Sequence, residues 1–205
     1  MPVMNAPSKT ESTRLTILKT GHALVQRKGF AALGLQEILA ASGVPKGSFY
    51  HYFASKEAFG VALLQRYIED YGQKLDSLLT EGTGRARLMR YFQGWLAEDA
   101  TAGQPGWAED CIVVKLAAEV SDLSEDMRHV LSDGTEALVA RLADVIRDGR
   151  KDGSLPQGTK PKALAQTLYQ MWLGAALLSR LTRSSAPLER ALTATERLLD
   201  CGPHE

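Results

Sequence analysis

The stretch "GFAALGLQEILAASGVPKGSFYHYFASKEAF", Gly29 to Phe59, sets three helix boundaries and lines up four aromatic rings and an imidazole without interruption from Phe49 to Phe53. Leu35, Ile38 and Leu39 share one face of a short helix that Gly43 closes. Pro45 permits only a fresh start, so Lys46 opens the next helix. Ser55 suits the N-cap of a longer helix carrying Phe59, Leu63, Leu64 and Tyr67. Upstream, Ile17, Leu18, Gly21, Leu24 and Val25 follow the i, i+1, i+4, i+7, i+8 spacing of one helix face that stops near Gly29. The order is three short helices and then a long one, and no alternating strand pattern interrupts the chain.

At about 100° per residue, Phe49 and Phe53 fall together and should plug into the first two helices. Gly47, Ser48 and His51 point the opposite way, and Tyr50 and Tyr52 occupy the two shoulders. Such a helix suits the major groove of DNA. Its small front lets the backbone approach base edges, and its hydroxyls reach phosphates on both strands. Lys46 and Lys56, each opening a helix, add positive charge. An aromatic plug in a helical core explains Phe49 and Phe53 alone, because burying Ser48, His51 and two phenols together requires a partner for each.

Charge agrees with that reading only locally. The 205-residue chain has a formal net charge of zero, and 44% of its residues are hydrophobic, enough for a substantial folded body. Up to Gly60, however, seven basic residues (Lys9, Arg14, Lys19, Arg27, Lys28, Lys46, Lys56) face three acids (Glu11, Glu37, Glu57), a balance of +4 that leaves −4 for the rest. A basic front on an acidic body fits a polyanion-binding module joined to a part with another task. The alternative is chance surface charge.

The segment Gly29–Phe59 resembles the helix-turn-helix of TetR-family transcriptional repressors, whose pattern runs G-F, a short helix, then G-V-x-K-G-[ST]-[FL]-Y-x-[HY]-F-x-x-K-E. The resemblance implies an all-α, TetR-like fold. Its N-terminal three-helix DNA-binding domain (1–60, with 1–11 disordered) joins a larger helical sensor and dimerisation domain (61–205). It also implies that Lys46, Gly47, Ser48, Tyr50, His51, Tyr52 and Lys56 face double-stranded, palindromic operator DNA, with Ser48 and His51 as base readers and Gln36 as a further contact. One departure is Leu33-Gly34, where the family offers a Thr or Ser cap and phosphate ligand. Neither residue has the oxygen for it, and neither is counted as a DNA ligand.

One such unit reads too few bases for selectivity, so a homodimer is expected. Leu164, Leu168, Met171, Ala175 and Leu178 step by four and three along a helix begun by Pro161, and Leu188, Leu192, Thr195 and Leu199 do so after Pro187. These stripes either pair with their copies in a four-helix bundle, as TetR-family dimers do, or cover the body's own core.

The stretch "EDCIVVKLAAEVSDLSEDMRHVL", Glu109 to Leu131, places Cys111 at a helix start with Lys115 one turn on. Helix N-terminus and ammonium favour a reactive thiolate, whereas Glu109 and Asp110 oppose it. An inert buried cysteine is the other reading of the residues alone. The stretches "VPKGSFYHYFASKEAFGVALLQR", "VKLAAEVSDLSEDMR" and "LYQMWLGAALLSRLTRSSAPLERAL" are also similar to a branch of the family that senses quinones, reactive aldehydes, maleimides and hypochlorous acid through a cysteine matching Cys111. The likeness implies a sensor of Cys111, Lys115 and Arg180 that releases DNA on modification and derepresses detoxifying reductases. Arg180 stands where that branch has lysine. A guanidinium is a far poorer nucleophile than an amine, so an oxidised sulfur–nitrogen link there is not expected, although Arg180 can steady a thiolate. A repressor induced by a reversible small molecule in an apolar pocket, with Cys111 only lining it, is the alternative.

No metal or cofactor is expected. The four histidines are scattered, and "GTGRAR" from Gly82 lacks the lysine-hydroxyl pair of a phosphate loop and reads as a turn. Cys111 with His129 would make a cysteine enzyme only if something oriented the base, and nothing in the sequence does, so an enzyme is not expected. Trp95, Trp107 and Trp172 read as packing residues, and Cys201 as incidental. The longest apolar run, "MWLGAALL", is far below the roughly 18 residues that cross a bilayer, so a cytoplasmic protein with thiols rather than a disulfide is expected.

Overall fold

The computed structural model describes residues 9–96 and 106–200, and Cys201 and His204 lie outside them. Among the described residues all regular structure is helical: α1 (Lys9–Lys28), α2 (Leu35–Ser42), α3 (Lys46–Tyr52), α4 (Lys56–Leu78), α5 (Gly84–Leu96), α6 (Trp107–Asp110), α7 (Ile112–Leu123), α8 (Glu125–Lys151), α9 (Pro161–Thr182) and α10 (Ala186–Asp200). The chain forms two compact units, residues 1–69 with 115–131, and residues 70–114 with 132–205. The division expected at 60/61 falls inside the continuous α4, and α1 begins at Lys9, within the segment expected to be disordered.

In the first unit the boundary signals act locally as anticipated. Gly43 takes the left-handed conformation, φ 65°, that closes α2. The Ser55 hydroxyl accepts the Ala58 N–H at 3.0 Å and caps α4. Phe49, Phe53 and Phe59 bury almost all their surface and meet one another at centroid distances of 5.3 to 5.6 Å. Each such side chain contributes roughly 2–3 kcal/mol by burial. Ile17, Leu18, Leu24 and Val25 of α1 and Ile38 and Leu39 of α2 complete this core. Close approach requires glycine at position 21, where an added Cβ would stand 2.2 Å from the Phe59 ring.

The second unit packs α5, α6, α8, α9 and α10 around Tyr91, Phe92, Trp95, Leu142, Ile146, Leu168 and Trp172. Trp95 and Trp172 are buried, and the Trp172 indole N–H donates to Thr195 Oγ1 at 2.9 Å. Trp107, half-buried, lies 5.8 Å from the Tyr91 ring. At the start of α5, Gly84 lies so close to Gly149 of α8 that a Cβ would come within 2.3 Å of the Gly149 Cα. The "GTGRAR" turn is confined to its first residues, since α5 begins at Gly84. Asp152 accepts the Gly84 N–H at 2.8 Å and Ser154 accepts the Arg85 N–H at 3.1 Å, which satisfies two opening donors of α5.

The two C-terminal stripes are largely core residues. Leu168, Ala175, Leu188, Thr195 and Leu199 are buried within the protomer, and Leu164, Met171 and Leu192 pack against the same core. Of the expected seam only Leu178 is exposed, beside Leu177, Leu181 and Leu198. The periodicity marked the inward face of each helix because an amphipathic helix must first cover its own core. The outer row carries less regular spacing.

Candidate functional site

Helix α3 stands with one buried residue, Phe49, and an open face. Lys46, Gly47, Tyr50 and His51 are exposed, and Ser48 and Tyr52 half-exposed. Tyr50 leaves 47% of its surface in solvent although its neighbour Phe49 is fully buried. The Lys46 ammonium lies 6.0 Å from the Tyr50 ring, and the His51 and Tyr52 rings meet edge to face at 5.0 Å. A Cβ built on Gly47 would touch nothing within 4 Å, so packing does not require glycine there. Gln36 is exposed on α2. Leu33 is buried and Gly34 caps α2 with no side-chain hydrogen bond, in keeping with the missing hydroxyl at that helix start.

Lys56 is set apart from the other basic candidates. It is half-buried, its Nζ donates to the Ala31 carbonyl at 3.3 Å, and it lies 4.9 Å from the Phe30 ring centroid. Burial lowers its pKa, and the Glu119 carboxylate partly opposes that shift. Glu119, on α7, accepts the Phe30 N–H at 3.2 Å on one oxygen and the Ala31 N–H on the other. The Ser124 hydroxyl, capping α8, also donates to Glu57 at the start of α4. Sequence reasoning missed Glu119 and Ser124. Their partners lie 67 to 89 residues away, beyond any local spacing rule.

In the second unit Cys111 is 7% exposed and falls between α6 and α7, directly before the first residue of α7. Lys115 follows one turn into α7 and is half-exposed. The Arg180 guanidinium, from α9, donates to the Glu109 carbonyl at 2.9 Å, two residues before the thiol. Two phenols register the sulfur. Burial raises the pKa of Tyr91 well above its usual value and a negative Cys111 adds to the effect, against the hydrogen bond with Tyr71 at 3.2 Å. Tyr169 is raised likewise, by burial first and then Cys111. The thiol therefore lies within an aromatic core, with a cation fixed to the backbone leading into it. Among the described residues no group of three or more His, Cys, Asp or Glu could hold a metal ion, and no helix is long and apolar enough to cross a membrane.

A compact helical triplet with an exposed, small-fronted third helix, joined to a helical body, defines a helix-turn-helix transcriptional regulator. The chain belongs to the TetR family: residues 17–63 match the model for bacterial regulatory proteins of the tetR family, and residues 84–195 that for the tetracyclin repressor-like C-terminal domain. It is 44% identical over 189 residues to the HTH-type transcriptional repressor NemR of Escherichia coli K12, covering 91% of this chain and 94% of that protein. The crystal structure of reduced E. coli NemR superposes with a TM-score of 0.84 at 43% identity, covering 94% of this chain and all of the other. The transcriptional regulator AcuR of Cereibacter sphaeroides is 34% identical over 175 residues, 84% of this chain and 78% of its own. The family and these relatives are transcriptional regulators rather than enzymes, and TetR-family regulators bind operator DNA as dimers.

Proposed function

We propose that this repressor holds its operator through α3 and lets go when Cys111 is modified by an electrophile or oxidant, derepressing detoxification genes. Ser48 and His51 read base edges. Lys46, Tyr50 and Tyr52 bind phosphates, with Gln36 contributing from α2, and the backbone at Gly47 lies close to the groove floor. The exposed ring-and-glycine face around a buried Phe49 is the observation that carries DNA contact. For sensing it is the position of Cys111, immediately before α7, with Arg180 bound two residues upstream. Addition to a maleimide forms one S–C bond, moves the alkene π pair to the neighbouring carbon, and leaves the thiol proton there. The added bulk cannot fit a site packed to 7% exposure without moving the start of α7.

The test is fluorescence anisotropy on labelled DNA from upstream of the protein's own gene, at one fixed salt concentration. Wild type is released by N-ethylmaleimide and Cys111→Ser is not. Equal release of both would remove Cys111 from the mechanism. The burial of the thiol among aromatic residues favours one competing reading, a reversible apolar ligand against which Cys111 merely packs. Induction reversed by dialysis without reductant would establish that ligand, while induction that survives dialysis supports modification, an oxidised thiol being restored by added reductant and a maleimide thioether not.

Dimerisation is assigned to the outer faces of α9 and α10, where Leu177, Leu178, Leu181 and Leu198 are exposed. A monomeric mass at micromolar concentration would overturn it.

A further inference from the structure

Two successive peptide units in the turn from α1 to α2 are held by charged side chains from other helices. Gly29 makes that turn with φ 83°, and a Cβ there would stand 2.8 Å from a Glu119 oxygen. Beyond it the Ala31 N–H points to Glu119 of α7 and the Ala31 carbonyl to Lys56 of α4, while Phe30 donates its own N–H to the same carboxylate and places its ring under the Lys56 ammonium. Met127 and the Phe30 ring both press on Gly60 of α4, where a Cβ would come within 2.7 Å of each. The turn that leads into α2 is thus gripped on both edges by charged groups from two other helices. Carboxylate-to-amide bonds of this kind are stronger than neutral ones, and losing the acceptor strands the backbone donor of Phe30, a residue only 3% exposed.

We propose that Glu119 and Lys56 are a positioning pair for operator binding, and that Lys56 acts on DNA affinity through the Ala31 turn rather than by touching a phosphate. The Lys56 head group lies over Phe30 and is bonded to Ala31, so it is engaged with the turn before any DNA is bound. Lys46, by comparison, is exposed. This rests on α3 being the DNA-binding face, and Lys46 serves to check that premise separately.

The experiment measures operator affinity by anisotropy against salt concentration for Lys56→Met, Glu119→Ala, Glu119→Gln, the Lys56→Met/Glu119→Ala double variant and Lys46→Met, on the duplex named above, with circular dichroism as a check of folding. A lost phosphate contact reduces the slope of log K against log[salt] by about 0.9 per protomer. Lys46→Met should show that reduction, and its absence would count against the α3 reading alone. Lys56→Met should weaken binding about tenfold at every salt concentration with the slope unchanged, the scale expected for losing a hydrogen bond to a charged group. Glu119→Ala should weaken it comparably even though it removes a negative charge. Glu119→Gln, which keeps an acceptor oxygen, should recover part of the loss, and the double variant should be little worse than either single one. A reduced slope for Lys56→Met, undiminished binding by both Glu119 variants, or multiplying losses in the double variant would each overturn the proposal. If Glu119→Ala does not fold, the Lys56→Met slope and Glu119→Gln still decide it.

Discussion

Replacing Gly47 with alanine separates stability from recognition at a single methyl group. Helix propensity favours alanine over glycine by up to about 1 kcal/mol, and an added Cβ at Gly47 meets no atom within 4 Å, so no clash offsets that gain. In a chain of this size the benefit corresponds to about 2–4 °C in melting temperature at most. On DNA the sign reverses. The methyl carbon stands roughly 1.5 Å off the backbone, enough to push α3 away from hydrogen-bonding distance in the groove. A lost base-edge contact costs about 1–3 kcal/mol, or roughly 5- to 150-fold in affinity per half-site. Thermal unfolding followed by circular dichroism and anisotropy at fixed salt measure the two effects independently. Unchanged operator affinity, or weakened affinity accompanied by a lower melting temperature, would refute the close approach of the Gly47 backbone to DNA.

Tyr50→Phe removes one hydroxyl from a side chain 47% exposed, so operator binding should weaken roughly tenfold with melting unchanged; unaltered affinity would take Tyr50 out of the interface. Gly84→Ala should destabilise the second unit by about 1–3 kcal/mol, read from urea unfolding, because its Cβ would stand 2.3 Å from the Gly149 Cα. Leu181→Lys places charge on the most exposed of the outer leucines, at 77%, and should shift the mass measured by light scattering from dimer to monomer. The Asp152 carboxyl is held below its usual 3.8 by the Ser154 hydroxyl first, then by the Gly84 and Ser154 amides. A depressed folded-state pKa contributes stability that is present at neutral pH and lost as pH falls through it. The stability gap between wild type and Asp152→Asn in urea should therefore close below about pH 4, and a gap constant with pH would show that the carboxylate charge is irrelevant there.

The boundaries of α2, α3 and α4 were legible because each depends on a local device, Gly43 in its left-handed conformation, Pro45 before Lys46, and the Ser55 cap. The split of α3 into buried Phe49 and an exposed remainder followed from helical angle alone. Spacing left the C-terminal stripes open because a heptad-like row does not say whether the surface it covers belongs to the same chain or to a copy. At Lys56, a position matching a DNA ligand, spacing says nothing of the contacts with Phe30 and Ala31 or of the nearby Glu119. Contacts between residues nearly ninety positions apart leave no periodic trace in one sequence. The branch similarity pointed to Cys111, and the hydrogen bond from Arg180 to Glu109 shows a use for arginine at that position that requires no nucleophilic nitrogen.

All three tryptophans, Trp95, Trp107 and Trp172, belong to the second unit, and the first contains none. Intrinsic indole emission is therefore a reporter of the second unit alone, while ellipticity counts the helices of both units. A denaturation series recorded by both signals would coincide if the protein unfolds in one step, and would diverge if the DNA-binding unit melts first without dimming a single indole.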